Sequence, residues 1–257
     1  MEFFGHAYLR QIICLSLLSG RQVIIKDIRS EATNPGLLPY EMNFLQLLEK
    51  VTNGSTSVIN KTGTKITFRP GIIDCADGLL VEHECSLERS ITFWAEPVCI
   101  LAMFGKADLW VDFIGNTDDE IDQGVDSFYR SFSYLCKQFA AGGITLKVKR
   151  RGFAPLGGGL VTIRQQYAKR LEAVSLVDEG KVNRVRGWVT SAKVSPQLTT
   201  RVVDKVREIF NDYIPDVWIH TDHYKKDQCG PQPAFGISLQ AETTTGVTYT
   251  KDFMFGS

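Results

Sequence analysis

Arg151-Gly152-Phe153-Ala154-Pro155-Leu156-Gly157-Gly158-Gly159 is the stretch whose reading decides the fold. It lies between two predicted strands, at about 144–151 and 160–164. Glycines there permit positive φ and close backbone approach. Successive backbone N–H groups in such a turn can also cradle a phosphate. The stretch lacks the Lys-Ser/Thr ending of a Walker loop and does not follow the G-x-G-x-x-G spacing. Taken alone, Gly157, Gly158 and Gly159 form a structural hairpin turn or a phosphate cradle, and their place between strands favours the turn.

Charge around the turn is uneven. The 257-residue chain has no formal net charge, and its 44% hydrophobic and 23% charged residues are ordinary for a globular protein. Residues 1–146 carry a net −6, residues 147–193 a net +8 and residues 194–257 a net −2. A local basic stretch attracts phosphate backbones even in a neutral chain, although it also suits a solvated strand face. Lys147, Lys149 and Arg151 alternate, which predicts one shared strand face, and Arg150 adjoins them.

Upstream, the pattern predicts a helix over 6–19, a strand over 22–28, a helix over 38–52 and strands near 56–60 and 64–69. The order recurs as a helix over 86–104, a strand over 108–114, a helix over 122–140 and the two strands flanking the glycine turn. A repeated α-β-α-β-β unit predicts an α/β (α+β) protein, with sheets that carry helices on one face. Beyond a charged link at 165–181 come a strand over 184–194 and a helix from Ser195-Pro196 to about Phe210. Strands near 216–221, 235–241 and 246–250 complete a small α/β module.

The run Arg-Gly-x-x-Pro-x-Gly-Gly-Gly at 151–159 is similar to one in the RNA 3′-terminal phosphate cyclase family. Gly5-His6-Ala7-Tyr8-Leu9-Arg10 resembles that family's opening glycine-rich motif. Ile28-Arg29 with Asn34-Pro35-Gly36-Leu37-Leu38, and Arg69-Pro70-Gly71, resemble motifs of its first repeat. Val81-Glu82-His83-Glu84-Cys85-Ser86, Val194-Ser195-Pro196-Gln197, Pro215-Asp216, Thr221-Asp222-His223 and Ala241-Glu242-Thr243-Thr244 resemble its cyclase-like, ribosome-assembly branch. The resemblance covers nearly the whole chain. It implies a large domain over 1–181 made of two of the family's three repeats, a small inserted domain over 182–250, and a return to the large domain over 251–257. On this reading the chain is C-terminally truncated, and the surface left by the third repeat is exposed or covered by a partner.

Departures from the family pattern point away from catalysis. The resemblance implies that true cyclases hold an acidic residue and a glutamine where His6, Ala7 and Tyr8 stand, and a lysine where Asn34 stands. Their second glycine- and serine-rich helix start is here Cys85-Ser86-Leu87-Glu88-Arg89-Ser90. Their nucleophilic histidine, which takes AMP from ATP, lies in a C-terminal segment beyond Ser257. Without a nucleophile no covalent nucleotidyl intermediate forms. The resemblance therefore implies no catalytic residue, no cofactor and no metal. Arg10, Arg29 and Arg69, in matching motifs at element ends, are candidates for a retained anion or RNA contact, or for structural bridges between repeats. Lys147, Lys149, Arg150 and Arg151 are candidates for rRNA phosphates.

Other signals have plainer readings. His220-Thr221-Asp222-His223 with Cys229, and Cys75 with His83 and Cys85, are poor metal spacings. Asp118-Asp119-Glu120-Ile121-Asp122 caps a helix opening at 122 rather than binding a cation. The six cysteines form no C-x-x-C pair and suit buried thiols. No apolar run reaches about 18 residues, so no membrane span is expected. Residues 10–20 resemble a signal peptide only weakly and read better as a core helix, which sets aside a secreted glycoprotein with sequons at Asn53 and Asn60.

The expected function is a non-catalytic ribosome-biogenesis factor. The resemblance implies small-subunit pre-rRNA processing in the nucleus and nucleolus. Its implied partners are pre-rRNA, a ribosome-assembly GTPase and the snoRNP-containing small-subunit processome. The alternatives are an ATP-dependent RNA 3′-terminal phosphate cyclase and a pre-rRNA endonuclease.

Overall fold

A short strand, β1 (Glu2–Phe4), leads through α1 (Leu9–Ser19) into β2 (Val23–Lys26), which runs parallel to it. The computed structural model describes residues 1–256. Ser257, counted above in the last segment, lies outside the described residues. After β2 come α2 (Pro39–Val51), the two-residue β3 (Thr52–Asn53) and the antiparallel pair β4 (Thr56–Ile59) and β5 (Ile66–Arg69). β6 (Ile72–Ile73) then pairs back on β3.

The second repeat is β7 (Leu80–Glu84), α3 (Thr92–Ala102), β8 (Leu109–Gly115), α4 (Val125–Gln138), β9 (Ile144–Arg150) and β10 (Gly159–Gln165). The two sheets have the same strand order, β1-β2-β5-β4 and β7-β8-β10-β9. In each, the first pair is parallel and the rest antiparallel.

The repeat is therefore β-α-β-α-β-β. The sequence reading began each unit at its helix and missed the leading strand. β1 has only three residues, and β7 turns His83 inward beside Val81, so neither shows a clear apolar alternation. The helix expected from 86 starts only at Thr92 for the same reason: residues 85–91 carry the chain from β7 to α3.

Both repeats share one core. The helical faces of both sheets contribute, from Leu9, Ile13 and Leu17 of α1 to Val161 and Ile163 of β10. α3 lies at its centre, with Trp94 and Cys99 fully buried, and packs on α1, α2 and α4. Residues 10–20 are thus largely the core helix α1, with Ile13, Ser16 and Leu17 inward. Among the described residues, no helix is long and apolar enough to cross a membrane. All six cysteines are free thiols and five are buried. Burial pushes the Cys14 and Cys75 thiols up to about 12, which makes them poor nucleophiles.

A third sheet follows: β11 (Val182–Ala192), α5 (Pro196–Asn211), β12 (Asp216–Tyr224), β13 (Ala234–Thr243) and β14 (Thr248–Gly256). Its order is β12-β11-β13-β14, with β11 and β12 parallel across α5. α5 packs on one face through Val203, against Val189, Ile219 and Ile237. β14 stays paired with β13 through Gly256. Residues 251–256 therefore extend this sheet, whereas the sequence reading returned them to the large domain. Antiparallel pairing continues along β13 and holds the longer strand in place.

His83 is 2% exposed, bonded through Nε2 to Asn43 Oδ1 at 2.9 Å and set against Trp94 and Phe113. Burial, aided by Lys50, pushes its pKa from 6.5 down to about 4. The folded state then holds the neutral ring while the unfolded chain takes up a proton. Its stabilisation is complete above pH 6.5 and is lost as pH falls towards 4. Denaturant unfolding of the wild type and His83→Gln across this range should differ in slope. The wild type should lose on the order of 3 kcal/mol more, and parallel curves would contradict this.

Candidate functional site

At the junction of the two repeats, three arginines converge on a pocket of about 210 Å³. Arg10 comes from α1, Arg29 follows β2, and Arg89 precedes α3. His6, Tyr40, Glu41 and Phe93 complete much of the wall. Phe93 is the hub. The guanidinium carbons of Arg10 and Arg89 lie 4.2 and 4.6 Å from its ring centre, and Tyr40 meets it edge-on at 5.1 Å. Such contacts hold cations over aromatic faces and join α1, α2 and α3 at one point.

Each guanidinium also has a hydrogen-bonded partner. Arg10 donates to the Phe93 carbonyl at 2.7 Å, with Glu96 at 3.7 Å. Arg29 makes a two-pronged pair with Glu41 at 2.7 and 2.8 Å and donates to the Gly36 carbonyl. Arg89 grips Asp122 in the same way, at 2.5 and 2.7 Å. The bidentate bonds to Glu41 and Asp122 raise the pKa of Arg29 and Arg89, so both stay charged. Three guanidiniums thus border the pocket, each with a carboxylate nearby: Glu41 in the wall, Asp122 and Glu96 beside it.

Local backbone explains the motif around Arg29. Arg29 itself sits in the left-handed region at φ 47°, which costs a non-glycine residue energy and aims its side chain back into the junction. Gly36, at φ 96°, passes so close to the next hairpin that a Cβ would come 2.4 Å from the Thr62 carbonyl oxygen. Asn34-Pro35-Gly36 therefore closes a loop in which Gly36 donates to Ile28 and accepts from Arg29.

The other sequence candidates separate. Arg69 lies at the end of β5, bonded to Gln22 at 3.2 Å on the surface, and does not join Arg10 and Arg29. On β9, Lys147 is exposed, Lys149 pairs with Asp112 at 2.9 Å, and Arg150 donates to the Gly158 carbonyl. Arg151 corrects the expectation of a shared strand face. The pairing of β9 with β10 shifts register between Leu160 and Val161, and Arg151 turns into the interior with 1% exposure. Its guanidinium binds Asp118 at 3.0 Å and Asp126 at 2.6 Å, beneath the ring of Tyr224. It is a structural ion, unable to reach solvent phosphates.

The glycine turn is likewise a packing device. Arg151 exchanges backbone hydrogen bonds with Gln228 and Gly230, and Gly157 N–H donates to Phe153. A Cβ on Gly157 would strike the Leu87 side chain at 2.5 Å. With their approaches filled by Leu87 and Gly230, Gly157 and Gly158 serve as a clasp between the second repeat and the third sheet.

The acidic run departs from its predicted role too. α4 starts at Val125 behind Gly124, with no side-chain cap. Asp122 instead takes Arg89, and Asp119 Oδ1 accepts from the N–H groups of Ile121 and Asp122. Arg89 stands inside the 85–90 motif and was not among the candidate site residues. Its signal was a lone arginine before a helix, whose acidic partner lies 33 residues away. His220 and His223 fall on opposite faces of β12, as a three-residue spacing in a strand requires. His223 bonds Ser191 at 2.6 Å, while His220 stacks on Trp188.

Residues 1–249 match the family model described as RNA 3′-terminal phosphate cyclase. The chain belongs to this family. It is 44% identical over 248 residues to the human RNA 3′-terminal phosphate cyclase-like protein, covering 96% of this chain and 66% of that protein. It is 40% identical over 255 residues to a probable protein of the same name from Dictyostelium discoideum, covering 99% of this chain and 68% of the relative. It is 38% identical over 254 residues to the rRNA processing protein rcl1 of Schizosaccharomyces pombe, covering 98% and 69%. The chain thus spans about two thirds of the length of these relatives. Of the family motifs quoted above, those at 5–10 and 28–38 fall at the junction pocket and that at 151–159 at the Arg151 clasp, whereas Arg69-Pro70-Gly71 lies away from both.

Removing the Arg151 guanidinium leaves two part-buried carboxylates facing each other. Arg151→Ala should cost about 3–5 kcal/mol of stability, read by denaturant unfolding. Adding Asp118→Asn and Asp126→Asn should restore much of it. Equal stability of wild type and Arg151→Ala would refute the clasp.

Proposed function

We propose that this chain is a non-catalytic factor of pre-rRNA processing, which binds rRNA and a ribosome-assembly GTPase within the nucleolar small-subunit processome. The observation that carries the reading is the junction pocket. Its cations are arginines bonded to internal partners, a set suited to receiving an anion rather than to activating a nucleophile. The names of the cyclase-like relatives, one of them an rRNA processing protein, support the rRNA-processing part. The exposed basic edge of β9, with Lys147 and Arg150 outermost, suits the phosphates of an RNA.

One feature favours the runner-up, an ATP-dependent cyclase: the exposed imidazole of His6 lines the pocket. A nucleophilic histidine needs an oriented proton acceptor, and His6 has no hydrogen-bonded base beside it among the described residues. Incubation with labelled ATP and RNA bearing a 3′-phosphate should give no covalent AMP adduct. An adduct that disappears in His6→Ala would establish the cyclase instead.

Binding is tested by charge reversal. Lys147→Glu, Lys149→Glu and Arg150→Glu together should weaken pre-rRNA binding by roughly tenfold or more and flatten its salt dependence by about two to three counterions. Unchanged capture of both RNA and the GTPase would remove the β9 edge from the interface.

A further inference from the structure

The third sheet has one helix, α5, on one of its faces. Strand alternation turns Val217 and Ile219 towards that helix, and so turns Trp218 and His220 to the opposite face. In register, Trp218 lies beside Arg186 and His220 beside Trp188. The rings make a short row. Trp188 and His220 are stacked with centroids 5.6 Å apart and planes 16° from parallel. Trp218 follows at 5.9 Å from His220 and donates its indole N–H to His220 Nδ1 at 3.3 Å.

The two ends of the row differ. At the inner end, Arg130 of α4 lies 3.2 Å from the Trp188 ring centre and closes the stack. At the outer end Trp218 stays 55% exposed on the edge strand β12. An indole left half in water forfeits much of the free energy its burial would supply. Its one polar group is already bonded inside the row, so what Trp218 offers a ligand is a flat ring.

Arg184 and Arg186 share this face of β11, at the end of the basic stretch. Arg184 pairs with Glu242 at 2.9 Å and Arg186 with Asp216 at 2.7 and 2.8 Å. The single-bonded Arg184 pair is partly exposed and hence weak, so a phosphate can take the place of its carboxylate at little cost, while the two-pronged Asp216 pair holds the Arg186 fork in place beside the ring. A ring bordered by guanidinium forks on a sheet is poorly matched to an aliphatic protein patch. It suits unstacked nucleobases and the backbone that carries them. A duplex keeps its base faces in its own stack and cannot use such a ring.

We propose that the Trp218 end of this row is a stacking site for a base of single-stranded RNA, with Arg184 receiving an adjoining phosphate and Arg186 adding its charge beside the ring. The site rests on the RNA-binding reading above and is separate from the junction pocket and the β9 edge.

The test titrates the full chain with a short, fluorescently labelled single-stranded RNA of mixed sequence, following anisotropy and tryptophan emission. The wild type should bind with quenching, and Trp218→Ala should bind roughly tenfold or more weakly. Trp218→Phe should retain most of the affinity, because a ring remains. The Trp218→Ala defect should persist at raised salt, since stacking releases no counterions. Duplex RNA of the same sequence should not quench. If the wild type binds RNA and Trp218→Ala binds equally well, the stacking site is wrong and the RNA-binding reading stands. If the wild type binds no RNA, both fall. If Trp218→Ala keeps RNA but loses a protein partner, the face belongs to protein and the proposal is overturned. Circular dichroism of the same variants, with His220→Ala as a second probe of the row, keeps a folding defect from passing for a binding defect.

Discussion

The guanidinium of Arg151 is held between Asp118 and Asp126, beneath Tyr224, with almost none of its surface in water. A buried ion without partners is costly by several kcal/mol. Both carboxylates come from the second repeat itself, Asp118 from the loop after β8 and Asp126 from α4, while Tyr224 of β12 covers the ion from the third sheet, so docking of that sheet completes its burial. Burial raises the Asp118 carboxyl above its ordinary value while Arg151 pulls the other way, so each charge depends on the other's presence. Around the ion, Phe153 packs with Ala192, Cys229 and Ala234 in a small apolar cluster. The backbone of Arg151 bonds across to Gln228 and Gly230. The contact is thus specified by hydrogen bonds and by shape around a buried ion.

The junction between the two repeats is built on a different principle. One shared hydrophobic core already joins them, and the arginines act at its rim. Arg10, Arg29 and Arg89 each take a carboxylate or carbonyl from a neighbouring element, while Phe93 presents its faces to two of them. The result is a pocket rimmed by fixed arginines rather than by mobile side chains. Catalysis by nucleotidyl transfer needs a nucleophile and a base that orients it. In the function proposed above, locked guanidiniums serve electrostatic recognition instead.

Much of this was legible along the chain. The periodicity of α2 and α4, the strands of each hairpin and the doubled order of elements follow from local pattern, because one apolar face per element is enough to reveal it. β1 and β7 were not legible, being short and, for β7, carrying a buried histidine in place of an apolar residue. The arginine motifs pointed to Arg10 and Arg29, yet equally to Arg69, which the fold leaves on the surface. Arg89 was missed because its partner, Asp122, lies in a run that reads as a helix cap.

The sequence by itself determined the fold class, the repeat of its units, the segregation of positive charge into residues 147–193 and the family motifs, all of which depend on residue type and local spacing. Tertiary structure alone decided which charges are buried and which reach the surface. Alternation predicts that Lys147, Lys149 and Arg151 share a face, but a register shift in one strand pair turns Arg151 inward. The same holds for Trp188, Trp218 and His220, which become a row only when β11 and β12 pair in parallel register. Pairing register and long-range ion partners are set by the packing of distant segments, and no local pattern encodes them.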